Sequence, residues 1–599
     1  MENSDLQNIN GKFLYYAFIA GSVEILENQS DINKINVFPV NDKDTGTNLA
    51  STVRSVIDNI KPHKSYQKTV NDIADAALIG ARGNSGVIFA QFLYGLSRET
   101  VNKQVINLSE FAESVKKSIP YIYEAIANPI EGTMLTVIND WSNFLSSKKE
   151  AINDFKNVII DSFEILEKSL EETTSKLKIL NKTGLVDAGA KGFVLFIKGI
   201  IDFIKNRNIR NLVVDSNETI SLIHSEEMKD EEITYRFCTE AILKNININK
   251  SELKSILSQS GDSVVVAGSE NICRIHVHTN NPAELFHKLK ENGTITYQKV
   301  DDMIRQNEIV TNRKWNIALV TDSTCDLSQE LIDYHQISVV PINLNFGDNH
   351  YLDKVTIQPN QFYDLLESND EFPKTSQINE KAFTNIYSHL ASHYDAIIAI
   401  HLTGQFSGTF ANSLKAAERI KKEFNKDVYV IDSKNLSGAL GLLVLKTAQR
   451  IEANMPVNEI VDLLETDIDN AKIFVSVKDL KYMIKGGRVS KPKGFIAKKL
   501  GLNPVISIDD EGKSTLFGKT FSQKASLNKI FKHIDKISKG KKIWNYIMLH
   551  AHNYEGVKKA EEKMFEITGK KPVSTVDISP VIGMHAGNGA IAVSLLFDN

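Results

Sequence analysis

Ile35-Asn36-Val37-Phe38-Pro39-Val40-Asn41-Asp42-Lys43-Asp44-Thr45-Gly46-Thr47-Asn48 sets two carboxylates, Asp42 and Asp44, two residues apart. Pro39 keeps this segment out of regular helix, and Gly46 permits a tight turn. Aspartates so placed can converge on Mg2+, which gives up its hydration shell reluctantly and is held by one or two carboxylates together with nucleotide phosphates. An Asp-x-Asp in a polar loop is more often an ordinary solvated turn, so the pair needs a second element. Gly80-Ala81-Arg82-Gly83-Asn84-Ser85-Gly86 supplies one, running into the apolar stretch from Val87 to Leu93, which reads as a buried helix. A glycine-rich turn that opens a helix leaves backbone N–H groups pointing outward, where they can cradle a phosphate. The Lys-Ser/Thr that ends a Walker A loop is absent, and a helix-packing turn is the other reading.

Around these two segments the chain is patterned for helix. Apolar residues recur at spacings of three and four in Phe13-Leu14-Ala17-Phe18 and in Phe155-Val158-Ile159-Phe163-Leu166, while β-branched alternation is scarce. The spacing predicts an all-helical domain over residues 12–206.

The motifs Asn36-Val37-Phe38-Pro39-Val40, Asp42-x-Asp44-Thr45-Gly46-Thr47-Asn48, Gly80 to Gly86, Glu131-Gly132-Thr133-Met134-Leu135-Thr136-Val137 and Val186-Asp187-Ala188-Gly189-Ala190-Lys191-Gly192 together resemble one family. It is the kinase domain of bacterial fatty acid kinase, related to the nucleotide-binding L domain of dihydroxyacetone kinase. The resemblance spans residues 8–206 and implies a barrel of antiparallel helices with ATP and two Mg2+ at one end. It assigns Asp42 and Asp44 to Mg2+, with Asn36 a further candidate for the metal shell. Thr45, Asn48, the turn Gly83-Asn84-Ser85-Gly86, Thr133 and Asp187 go to ATP, Asp187 being equally placed to cap a helix. Arg82 is placed to offset phosphate charge or to form a surface ion pair. The family usually has Pro-Asp-Gly-Asp where this chain has Asn41-Asp42-Lys43-Asp44, so Lys43 brings a restricted backbone and a positive charge beside the proposed metals.

With 599 residues, 42% hydrophobic and 24% charged, the chain has the composition of a multidomain globular protein. A net charge of -4 gives no reason to expect nucleic acid as a partner. Three cysteines, Cys238, Cys273 and Cys325, are too few for a disulfide scaffold. No signal peptide or apolar membrane span is evident, and a cytoplasmic protein is expected.

Residues 207–232, with the charged run Glu226 to Glu232, read as a linker. A small α/β middle domain is expected over 233–312, where strand patterns replace helical ones. In Ile272-Cys273-Arg274-Ile275-His276-Val277-His278-Thr279, His276 and His278 fall on one face of a strand. With Cys238 on a neighbouring strand they would form the kind of cluster zinc accepts, although His-x-His is often only a polar face. Phe237-Cys238-Thr239-Glu240 and His276-Val277-His278-Thr279 resemble the middle domain of fatty acid kinase, which implies Zn2+ on Cys238, His276 and His278.

From residue 314 onward strands alternate with helices. Ile317 to Thr321, Ile397 to Ile400, Val428 to Ile431, Ile473 to Val475 and Tyr546 to Leu549 read as strands, which predicts parallel α/β layers with ligands at the strand ends. The polar clusters Thr375-Ser376-Gln377, Thr403-Gly404-Gln405-Phe406-Ser407-Gly408-Thr409, Lys485-Gly486-Gly487-Arg488 and Ile582-Gly583-Met584-His585-Ala586-Gly587 lie near those ends. Hydroxyls, one guanidinium and one imidazole suit a single carboxylate, and helix capping is the competing reading. Together with Val320-Thr321-Asp322-Ser323 they resemble the DegV family of fatty-acid-binding proteins over residues 314–599. The resemblance implies that Thr375, Ser376, Thr403, Ser407, Gly408, Thr409, Arg488 and His585 hold the head group of a fatty acid. Thr403-Gly404, Ala586 and Asn588 depart from the family pattern.

The two resemblances imply one reaction: phosphorylation of a fatty acid carboxylate by ATP, giving an acyl phosphate for an acyltransferase of phospholipid synthesis. Arg488 and His585 would orient the carboxylate. A homodimer, and transient membrane contact through Phe495-Ile496 and Lys498-Lys499, are further expectations. A lipid carrier or sensor with a degenerate kinase half, and a dihydroxyacetone-type kinase, stay open as alternatives.

Overall fold

A computed structural model describes residues 7–37, 44–149, 155–206, 233–269, 271–369, 371–478, 480–487 and 503–598. Asp42, Lys43, Arg488, residues 207–232 and the stretch from Phe495 to Lys499 lie outside the described residues. The chain divides into two compact units, residues 1–306 and 307–599.

The first unit opens with helices α1 (Gly11–Glu27), α2 (Gln29–Lys34), α3 (Thr45–Asn59), α4 (Tyr66–Gly80), α5 (Gly83–Arg98), α6 (Leu108–Ala125), α7 (Met134–Ser147), α8 (Phe155–Lys176), α9 (Lys178–Thr183) and α10 (Ala188–Asn206). Packed pairs run α1–α4, α4–α5, α5–α6, α6–α7, α7–α8, α8–α10 and back to α1, so the helices close a ring. Its interior is aromatic. Phe18 of α1, Phe89 and Phe92 of α5, Trp141 of α7, and Phe193 and Phe196 of α10 meet edge to face, with Phe89 and Phe196 centroids 5.0 Å apart. A two-stranded ribbon, β1 (Asn8–Asn10) with β2 (Val105–Asn107), adds the buried Ile9 and Ile106 to this core. Gly46 is helical rather than part of a turn, because α3 already begins at Thr45. It serves close packing, since a Cβ there would come 2.2 Å from the carbonyl oxygen of Gln29.

The same unit continues as a four-stranded antiparallel sheet in the order β4 (Asp262–Gly268), β5 (Ile272–Thr279), β3 (Phe237–Lys244), β6 (Thr294–Asp302), backed by α11 (Lys250–Ser258) and α12 (Pro282–Leu289). Alternation along a strand decides which side each residue serves. Val264 and Val266 enter the sheet's own core, whereas Val265 and Ala267 pack into the helical core. Ala127 N–H donates to Val264 O at 2.9 Å, and Gly268 N–H to Gln91 Oε1 at 2.9 Å. The sheet is therefore sandwiched, with one face against the helices.

In the second unit β7 (Ile317–Asp322), β8 (Ser338–Val340), β12 (Ala396–His401) and β13 (Val428–Asp432) form a parallel sheet in the order β13-β12-β7-β8. A short antiparallel sheet joins β9 (Asn343–Phe346), β10 (Asn349–Leu352) and β11 (Lys374–Ser376). The strands at Ile473 and Tyr546 belong to a third sheet, in which parallel pairing is the exception. It is built from β14 (Ala471–Ser476), β15 (Asn503–Ile508), β16 (Ser514–Thr520), β17 (Ile543–His550), β18 (Ser574–Asp577) and β19 (Ile591–Phe597), in the order β16-β15-β14-β19-β17-β18. Only β17 and β18 run parallel. The hairpin turn Asp509 to Lys513 sets β15 antiparallel to β16, and the wholly buried β19 enters between β14 and β17 antiparallel to both.

Candidate functional site

Four helix N-termini meet in the first unit. Gly83 opens α5 at φ +56°, where a side chain is strained, and a Cβ on it would also collide with the Asn48 amide of α3 at 2.2 Å. Asn48 and Thr45 are buried in the first turn of α3. A Cβ on Gly189, in the first turn of α10, would come 3.0 Å from the Ser85 hydroxyl and 3.3 Å from Asp187 Oδ1. Asp187 Oδ1 accepts the N–H of Met134, which opens α7, at 3.1 Å and that of Ala190 at 2.7 Å. Thr133 caps α7, its hydroxyl accepting from Leu135 N–H and donating to Ile130 O. Thr45, Asn48, Gly83, Asn84, Ser85, Thr133 and Asp187 are thus brought together, though Thr133 and one oxygen of Asp187 are occupied in holding helices. Converging helix N-termini add partial positive charges and outward N–H groups, a setting suited to phosphate. Burial pushes the Asp187 carboxyl up to about 6, against the two N–H groups that favour its charged form.

Asp44 stands at the N-cap of α3 without capping it through its side chain. Its charge acts on the middle-domain cluster. Burial pushes the Cys238 thiol well above its ordinary range, and the negative charges of Glu240, Asp301 and Asp44 add to that. In the cluster itself, ligand atoms of Cys238, His276 and His278 lie within 4.8 Å of one another. Cys238 Sγ is 3.8 Å from His276 Nδ1, and buried His276 Nε2 has no hydrogen-bond partner among the described residues. Nδ1 of His278 faces Asp262 at 3.3 Å, leaving Nε2 for a ligand role. One sulfur and two imidazoles from adjacent strands fit Zn2+. The same side chains fit hard Mg2+ poorly.

Two residues that the sequence reading passed over share this face. Arg274, His276 and His278 alternate along β5, and Glu240 follows Cys238 by two on β3. Glu240 Oε2 pairs with Arg274 Nη2 at 2.6 Å, and the two side chains are only 1% and 2% exposed. Gly83 N–H donates to Glu240 Oε1 at 2.5 Å, and Arg274 Nη1 donates to Ile79 O at 2.9 Å. Burial works against ionisation of Glu240, but Arg274 and then His276 hold its carboxyl well below the usual range. The available signal was a run of polar residues in strict alternation with Cys273, Ile275 and Val277, all three buried in the opposite core.

The second unit holds an apolar cavity of about 670 Å3, counting its open mouth. Its walls include Leu436, Ile473, Val475, Met483, Ile506 and Ile508, and His585 and Phe406 reach it. Two of its serines are turned away. Ser437 Oγ donates to Asp326 at 2.6 Å and Ser507 Oγ to Ile473 O at 2.7 Å. His585, on the helix Pro580–Ala586, is held close by the turn after Lys485, since a Cβ on Gly486 would come 2.1 Å from its Nδ1. Thr375 is half-buried and Ser376 exposed on β11, and the neighbouring Gln377 packs on Gly408. Ser407 and Thr409 hydroxyls lie 2.8 Å apart, and Thr409 accepts from Ile378 N–H at 3.4 Å. These clusters therefore assemble beside Phe406. Thr403 does not join them as a free donor. It is buried, and its hydroxyl donates to Gly512 O at 3.0 Å and accepts from Gln405 N–H, fastening the β15–β16 hairpin. The conspicuous Asp322-Ser323 pair is also structural. Asp322 accepts Leu402 N–H at 2.9 Å, and Ser323 donates to Asp353 at 2.6 Å, all within the core.

Comparison with known proteins now bears on both sites. Residues 39–202 match the DAK2 domain, 234–310 the middle domain of fatty acid kinase-like proteins, and 316–598 the DegV family of uncharacterised proteins. The chain joins a DAK2 domain, a fatty acid kinase-like middle domain and a DegV domain. That order matches a fatty acid kinase architecture. Among curated relatives, an uncharacterized protein of Staphylococcus saprophyticus is 31% identical over 320 residues, covering 52% of this chain and 58% of the relative. One from Staphylococcus aureus is 30% identical over 330 residues, covering 52% and 59%. The chain thus spans under two thirds of the length of these relatives. Solved structures similar to the DegV domain include the fatty acid binding protein DegV from Bacillus subtilis, 30% identical over 48% of this chain and 100% of that one, TM-score 0.43. A DegV family protein from Thermus thermophilus is 26% identical over 47% and 99%, also at TM-score 0.43. Among the described residues no helix is long and apolar enough to cross a membrane.

Proposed function

We propose that this chain transfers the terminal phosphoryl group of ATP to the carboxylate of a fatty acid, forming an acyl phosphate. The observation that carries the reading is the pairing, in one polypeptide, of a phosphate-suited meeting of helix N-termini with an apolar cavity that His585 reaches. The kinase-like DAK2 and middle domains imply ATP use, and the DegV domain supports a fatty acid as ligand.

A carboxylic acid is ionised at neutral pH, so the acceptor needs no general base. What the transfer needs is alignment and neutralised phosphate charge. Asp42 and Asp44 would hold Mg2+, which spreads the negative charge of the phosphates. The N–H groups around Asn84 and Ser85 would bind the phosphate oxygens, with Thr45 and Asn48 beside them. His585 and Arg488 would orient the acyl carboxylate, with Thr375, Ser376, Ser407 and Thr409 nearby, while Leu436, Ile473 and Ile506 exclude water from the acyl chain. Carrying both functions on one chain makes their encounter intramolecular, which raises effective concentration as far as the linker permits. Cys238, His276 and His278 would hold Zn2+. Elemental analysis should find about one zinc per chain, lost in Cys238→Ser.

Trapping with hydroxylamine tests the reaction. The chain, Mg-ATP and oleate should yield the hydroxamate at a rate set by protein concentration. No hydroxamate above the oleate-free control, with bound lipid detected by native mass spectrometry, would favour the carrier reading. Phosphorylation of dihydroxyacetone instead would favour the polyol kinase.

A further inference from the structure

We infer that Glu240 and Arg274 of the middle domain are positioning residues for the nucleotide turn, an inference that rests on the proposed nucleotide role of Gly83 to Gly86. The turn from Gly80 to Arg82 is where α4 ends and α5 begins, and a single buried ion pair holds both ends. Arg274 donates to the last carbonyls of α4, Ile79 O at 2.9 Å and Leu78 O at 3.4 Å. Glu240 receives the first N–H of α5, from Gly83, at 2.5 Å. Each charge faces the helix end of opposite polarity, a cation at a C-terminus and an anion at an N-terminus. The 2.6 Å pair between them closes the bridge. Its effect is to fix the left-handed Gly83 backbone, and so the direction of the N–H groups that follow it.

A different role is conceivable for a carboxylate at a helix N-terminus, namely a plug that occupies the anion site until nucleotide displaces it. The geometry speaks against it. Both oxygens of Glu240 are engaged, by Gly83 and by Arg274, and the side chain is 1% exposed. A displaced Glu240 would leave Arg274 as an uncompensated buried cation, which is strongly unfavourable. The pair is a support behind the turn.

Two variants of the full chain test this, Glu240→Gln and the double variant Glu240→Leu with Arg274→Met, which removes both charges and leaves neither unpaired. The readouts are Mg-ATP affinity by calorimetry, KM for ATP and for oleate, kcat, and the thermal midpoint. We expect ATP affinity to fall about tenfold in either variant that folds, with KM for ATP rising in parallel, while kcat at saturating ATP and KM for oleate stay within about twofold. A merely structural ion pair predicts that the double variant, once folded, binds ATP like the parent. That result, or tighter ATP binding in either variant, overturns the inference. Absence of Mg-ATP binding by the parent chain overturns the nucleotide reading itself and this inference with it.

Discussion

The helical unit and the α/β unit treat the same residue types in opposite ways. Around Gly83 polar groups gather at the candidate site: Ser85, Asn48 and Asp187 stand where four helices begin. Around the cavity of the second unit polar groups turn away, Ser437 toward Asp326 and Ser507 toward a backbone carbonyl, and the wall is left apolar. One site suits a highly charged ligand and the other a greasy one, and the two should fail independently when disturbed.

The largest expected effect separates them outright. Asp44→Ala should reduce hydroxamate formation on the order of a thousandfold, the scale expected when charge stabilisation of a transferring phosphoryl group is removed. Lipid bound to the purified protein, read by native mass spectrometry, should be unchanged. Loss of lipid in this variant would break the comparison, because the first site would then be supporting the second.

The converse test disturbs the second site through His585. Gly486→Val must displace the His585 ring, since even a Cβ would meet Nδ1 at 2.1 Å. Oleate affinity should weaken by about tenfold to a hundredfold, a cost of roughly 1.4 to 2.8 kcal/mol. Mg-ATP affinity, measured by calorimetry on the same sample, should stay within about twofold.

The contrast also explains what could be read from the chain. The turn Gly83 to Gly86, the cap at Asp187 and the His-x-His strand announce themselves because each signal is local, written within a few residues, whereas Thr133 was read only as an ATP contact and caps α7. Glu240 and Gly83 are 157 residues apart, and nothing in either neighbourhood predicts their hydrogen bond. The cavity is further out of reach, since its wall draws on side chains from Phe406 to Ala592 whose apolar character marks only burial. The same limit governs Thr403. Its hydroxyl looked like a ligand donor, and only the arrival of the hairpin turn at Gly512 shows it engaged. The mainly antiparallel third sheet was hidden for a related reason, because strand and helix alternate along the sequence whether or not the final strand inserts centrally.

Smaller effects follow from two buried aspartates, one in each unit. Burial pushes the Asp353 carboxyl up to about 7 from an ordinary 3.8, with Lys354, Ser323 and the Val581 N–H opposing it. A carboxyl whose folded value is raised holds its proton better folded than unfolded. Its stabilising contribution is therefore complete below about pH 4 and is lost as pH rises through about 7, at up to about 1.4 kcal/mol per pH unit. Asp353→Asn should flatten that slope. For Asp187, pushed up to about 6, the same sign holds over a narrower window, because two helix N–H groups favour its anion. Asp187→Asn keeps an oxygen for both N–H groups and should flatten only the slope between about pH 4 and 6. The three tryptophans allow each unit to be followed in the intact chain, Trp141 reporting the helical unit and Trp315 and Trp544 the α/β unit. Urea unfolding of single-tryptophan variants from pH 4 to 8 should show the Asp353 effect only in the second unit's signal and the smaller Asp187 effect only in the first. An Asp187→Asn variant that shifts both signals together would mean that the two units unfold as one, and the independence on which the comparison stands would be lost.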